Sequence, residues 1–152
     1  RVSQSGSGTM GSSIRNLAFL TLHLLVLGNG IRLRATMSPI NGFQTTMAVI
    51  REGSGPMVEA GNWVTVEATG VINETGEKFW STKDPGFQPY VYQAGMGKVI
   101  TGWDQGCLGM KVGEQRKLLI PADEGYGTGG FPAWNIPPNA TLDFTLECLN
   151  IQ

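Results

Sequence analysis

Histidine is nearly missing from this 152-residue chain. The one present, His23, has no His or Cys neighbour at ligand spacing, so it points to neither a metal site nor a Ser-His-Asp triad. Cysteine is almost as scarce: Cys107 and Cys148 form no CxxC pair. Both fall on apolar faces, where they pair in one disulfide or stay as buried thiols. No HExxH and no phosphate-cradling glycine loop occurs. The carboxylates are scattered over strand positions that read as solvent-facing. A formal charge of −1, without base-stacking aromatics among basic residues, excludes a nucleic-acid partner. The longest apolar stretch, 17–27, is shorter than the about twenty residues that span a bilayer, so no stable membrane span is expected. Any chemistry left to this chain must use geometry and solvation.

Glycine and proline, by contrast, are abundant at 22 and 8, which announces turns and bulges rather than long helices. Charge divides the chain. Residues 1–50 carry four arginines and no acid, whereas 51–152 hold seven basic and twelve acidic side chains. We therefore read 1–45 as an N-terminal extension and 46–152 as one folded domain. The first nine residues are Ser/Gly-rich and cannot bury enough to order themselves. Within 10–35 a basic start, an apolar run and a small-residue exit have the layout of a signal or targeting segment. That reading implies the secretory pathway or a plastid; otherwise the location is cytoplasmic. The competing reading is an amphipathic helix that packs on the domain or frays, and a third is an anchor into a larger assembly. Asn73-Glu74-Thr75 and Asn139-Ala140-Thr141 match the glycosylation sequon.

Alternation of apolar and polar residues predicts strands over 46–51, 63–71, 78–80, 90–93, 114–120 and 141–151. In the second, Val64, Val66 and Ala68 share a face; in the last, Leu142, Phe144, Leu146 and Cys148 do. Residues 52–56 and 111–113 read as turns. Residues 122–138 form a loop of seventeen residues holding Tyr126, Phe131 and Trp134, long enough to be functional and too aromatic to be disordered. The one helical pattern is Ile100, Trp103 and Cys107, at i, i+3 and i+7. Thr101 is its predicted N-cap and Gly106 and Gly109 mark its end, which leaves two turns. The fold class is α+β: a five- to six-stranded antiparallel half-barrel wrapped on one short helix. Trp103 must lie against that sheet, as a core plug or as the floor of a hollow. Phe79, Tyr92 and Phe144 on the sheet face, with Tyr126 nearby, make an apolar surface with hydroxyl donors, the form of a small-molecule or peptide pocket.

Three ordered motifs then carry a resemblance: Val99-Ile100-Thr101-Gly102-Trp103-Asp104-Gln105-Gly106, Pro121 through Tyr126-Gly127, and Ile136-Pro137-Pro138-Asn139-Ala140-Thr141-Leu142. Over about residues 46–151 the chain resembles the tacrolimus-binding immunophilins, the FKBPs. The resemblance implies peptidyl-prolyl cis–trans isomerase activity without a cofactor, on proline-containing peptides or proteins. It implies Trp103 as the pocket floor, with Phe79, Tyr92, Val99 and Phe144 as walls. The Ile100 N–H and the Tyr126 hydroxyl would bind ligand carbonyls, and Phe131 and Ile136 would close the rim. Two positions depart from the family: Ala68 stands where relatives usually have a tyrosine, and Trp80 where they usually have an aspartate. Losing that carboxylate predicts weak macrolide binding, with isomerase activity retained at a reduced level. The alternative is an FKBP-like binding module with weak or no catalysis, favoured by the greasy Phe131–Trp134 loop.

Overall fold

The computed structural model describes residues 36–152; the segment read as a signal, with His23, lies outside the described residues. Nine strands and one α-helix follow in the order β1 (Ser38–Pro39), β2 (Thr46–Arg51), β3 (Ser54–Met57), β4 (Trp63–Ile72), β5 (Lys78–Ser81), β6 (Tyr90–Gln93), α1 (Thr101–Cys107), β7 (Lys111–Val112), β8 (Gln115–Ile120) and β9 (Leu142–Ile151). All pairings are antiparallel. The main sheet runs β1-β2-β8-β9-β4-β5, and β6 also pairs with β4. The half-barrel on one short helix is therefore present, with more strands than the alternation gave.

The additional strands have local causes. β3 and β7 pair only with each other, in segments read as turns, the first of which is rich in glycine and proline. Gly53 makes this possible: a Cβ there would lie 2.6 Å from the Glu114 nitrogen and the Val112 oxygen, so only glycine lets the backbones approach. β1 extends the sheet upstream of Thr46, into the stretch read as extension.

β4 and β9 form the spine, in register from Ile72↔Leu142 to Val64↔Ile151 with one irregularity after Thr65. Their inward residues, Val64, Val66, Ala68, Leu142, Phe144, Leu146 and Cys148, are all buried, as the period of two requires. β5 pairs with residues 69–71 of β4 and β6 with residues 63–66, on the same edge. Between them the chain leaves the sheet through 82–89, and this gap opens the edge where the hollow forms.

Helix α1 lies on β8 through its glycines. A Cβ on Gly102 would stand 2.5 Å from Ile120 Cγ2, and one on Gly106 2.5 Å from Leu118 Cδ1. Gly106 is the next-to-last residue of the two-turn helix, as expected, and it also holds the helix end close to the sheet. The N-cap is Ile100 rather than Thr101, and no side chain caps it. The helix end is instead tied down by Arg116 of β8, whose Nη1 donates to the carbonyls of Gly106 and Leu108 at 2.8 and 2.9 Å. Arg116 pairs with Glu114 at 2.6 Å, both buried. Glu114 and Asp104 are the carboxylates that break the solvent-facing expectation. Asp104 accepts from the Gly95 and Gly97 amides at 2.8 Å, fixing the turn that leads into the helix.

Candidate functional site

Trp103 projects from α1 away from β8 and toward the open sheet edge. It is only 5% exposed, yet a hollow of about 190 Å³ lies against it. The lining is Trp80, Tyr90, Lys98, Val99, Ile100, Trp103, Tyr126, Trp134 and Phe144. The indole is fixed from behind. Its Nε1 donates to the Tyr92 hydroxyl at 3.0 Å, and Phe144 meets its ring edge-on with centroids 4.9 Å apart. Burial pushes the Tyr92 phenol far above its ordinary value, so it stays protonated. Cys107, on the same helix, is pushed up to about 11 by burial; both cysteines are free and buried, without a disulfide.

The side walls are aromatic. Trp80, from β5, stacks on Trp134 of the long loop with centroids 5.8 Å apart and planes 11° apart. Trp134 stacks on Phe79 in turn, at 6.4 Å. A wall continuous from sheet to loop results, and Phe87 meets Trp80 edge-on. Gly70 permits it, since a Cβ there would lie 2.4 Å from the Phe79 ring and 2.7 Å from Phe144. Next to this wall stands Tyr126, which meets Trp134 edge-on at 6.4 Å and stacks on Phe131 at 5.2 Å. Burial, with the neighbouring Tyr90, holds the Tyr126 phenol above its usual value. The Ile100 N–H has no backbone acceptor among the described residues.

The loop 122–138 is ordered by its own hydrogen bonds. Phe131 and Ile136 exchange N–H···O bonds at 2.9 and 3.1 Å, and three single-turn 3₁₀ segments fill the remainder. Asn135, in the left-handed region at φ 55°, turns the chain after Trp134.

Of the residues singled out in the sequence, Trp80, Val99, Ile100, Trp103, Tyr126 and Phe144 meet at the hollow. Tyr92 lies behind Trp103, Phe79 behind Trp134, and Phe131 behind Tyr126. Ile136 is buried in the loop base and Ala68 in the core, neither lining the hollow. Tyr90, Lys98 and Trp134 line it without having been assigned to it. Tyr90 was within reach, because it shares a strand face with Tyr92; alternation cannot say which of the two lies toward the opening.

Residues 55–149 match the family described as FKBP-type peptidyl-prolyl cis-trans isomerase. The chain belongs to that family. It is 50% identical over 106 residues to the peptidyl-prolyl cis-trans isomerase FKBP12 of Arabidopsis thaliana, covering 68% of this chain and 95% of the relative. The FKBP12 of Vicia faba is 49% identical over the same shares. FK506-binding protein 1 of Debaryomyces hansenii is 44% identical over 109 residues, 71% of this chain and 95% of its own. For a peptidyl-prolyl isomerase the absence of an acid–base pair from the hollow's lining is no obstacle, because the reaction moves no proton. It rotates one amide, against a barrier of about 18–20 kcal/mol set by the partial double bond.

Proposed function

We propose that the hollow against Trp103 is where this isomerase twists the bond preceding proline. The prolyl ring rests on the indole, between Trp80, Tyr90, Val99 and Phe144. The Ile100 N–H and the Tyr126 hydroxyl hold the flanking carbonyls, while Phe79, Tyr92, Phe131 and Ile136 brace these groups from behind. The observation that carries this reading is an aromatic hollow whose floor is the one tryptophan of the helix, with a protonated phenol at its edge.

The two isomers of an X–Pro bond differ by only about 0.5–1 kcal/mol, so what the site must change is the rate. A planar amide is more charge-separated than a twisted one and loses more when water is stripped from it. An apolar hollow therefore raises the planar state relative to the twisted one, and the donors act on the carbonyls that flank the moving bond. Proline-containing segments of unfolded or folding proteins fit this chemistry. Trp80, with no carboxylate to receive a ligand hydroxyl, supports weak macrolide binding. The protease-coupled or NMR-exchange assay on a Leu-Pro peptide tests the site: Trp103→Ala should lower kcat/KM at least tenfold, and equal rates for it and wild type would place catalysis elsewhere.

A further inference from the structure

Glu124 lies two residues before Tyr126, and its carboxylate reaches out of the loop to the segment that precedes β2. The Gln44 N–H donates to Oε1 at 2.7 Å and the Thr45 N–H to Oε2 at 2.8 Å, while the Thr45 hydroxyl donates to the same Oε2. Thr45 is fully buried, and its Oγ1 stands 2.5 Å from where a Gly102 Cβ would lie. One residue thus touches the loop that carries Tyr126 and the helix turn that carries Trp103. Tyr126 itself sits between Gly125, at φ −115° and ψ −121°, and Gly127, at φ 64°. Glycine peptides on both sides leave many conformations open to the tyrosine. Its ring is restrained by the Phe131 stack and the edge of Trp134, and its backbone by the Glu124 anchor.

We propose that Glu124 is a positioning residue for the Tyr126 hydroxyl, acting through its clasp on Gln44 and Thr45. This rests on the reading of Tyr126 as a donor to the substrate. Burial alone would raise the Glu124 carboxyl, but the bonds from Thr45 and Gln44 outweigh it and hold it below its ordinary value, so it is ionised when it holds them. The working domain then begins no later than Gln44, upstream of the first long strand.

A double-mutant cycle on the full chain separates positioning from simple support. Displacing a substrate-binding group by a fraction of an ångström costs about tenfold in rate, so Glu124→Gln should lower kcat/KM by about tenfold, mainly in kcat. In the Tyr126→Phe background, where no hydroxyl remains to position, the same change should cost no more than about twofold. Thr45→Val should repeat this pattern with side-chain volume preserved, and Thr45→Ser should restore it, which covers the case of an unfolded Glu124→Gln. Equal losses in both backgrounds, or wild-type turnover in Glu124→Gln, overturn the proposal. Wild-type turnover in Tyr126→Phe would instead remove the hydroxyl role, and the clasp's function with it.

Discussion

Replacing Gly106 by alanine adds one methyl group to the face of α1 that lies on β8. Helix propensity taken alone favours the change by at most about 1 kcal/mol, the figure for a helix interior, because Gly106 is the next-to-last residue of α1. The packing opposes it. The new Cβ would lie 2.5 and 2.6 Å from the two Cδ atoms of Leu118 and 3.1 Å from its Cγ. Leu118 is fully buried, so its side chain must shift within a packed core to make room. Overpacking a filled core costs about 1–3 kcal/mol, and contacts this short belong at the upper end, so the net expectation is a loss of at least about 2 kcal/mol. In a Leu118→Ala background the obstructing atoms are gone, and the same Gly106→Ala change should stabilise by at most about 1 kcal/mol. The coupling between the two sites is then about 3 kcal/mol, readable from guanidinium unfolding midpoints of the four proteins at a common slope. A Gly106→Ala protein more stable than wild type would refute the account of how the helix is seated, and with it the reason that Trp103 stands where it does.

Three other outcomes are expected. Tyr92→Phe leaves the buried Trp103 N–H without its acceptor and should cost about 1–3 kcal/mol in chemical denaturation; a neutral result would mean that the 3.0 Å bond is not what holds the indole. Arg116→Met strands the buried Glu114 carboxylate and frees the carbonyls of Gly106 and Leu108, for a loss of about 3–5 kcal/mol, much of which Glu114→Gln in the same protein should return. Because the Glu124 carboxyl is held below its unfolded value, its contribution is complete above the ordinary range near pH 4.3 and disappears as pH falls through the lower folded value. The stability gap between wild type and Glu124→Gln should accordingly be constant from pH 7 to about 5 and close on further acidification; a gap independent of pH would contradict the clasp.

Strand alternation and one helical triplet located six strands and the helix, because periods of two and 3.6 are written directly in apolar spacing. The ordered motifs around Trp103, Tyr126 and Ile136 carried the family. What spacing does not carry is which of two equivalent side chains faces an opening. Tyr90 and Tyr92 share a face, yet β6 ends so that Tyr90 reaches the hollow and Tyr92 goes beneath the indole. Phe79 and Trp80 are neighbours, and Trp134 decided their parts by stacking on both.

The sequence by itself determined the α+β class, the buried faces of β4 and β9 and the tryptophan at the centre, since each depends on local periodicity and residue type. Only the tertiary structure decided that Gly102 and Gly106 seat the helix, that Glu124 binds Gln44 and Thr45 some eighty residues away, and that Trp80 and Trp134 close one wall. Those are contacts between distant parts of the chain, and they exist because close packing brings them together, a condition that no short stretch of sequence encodes.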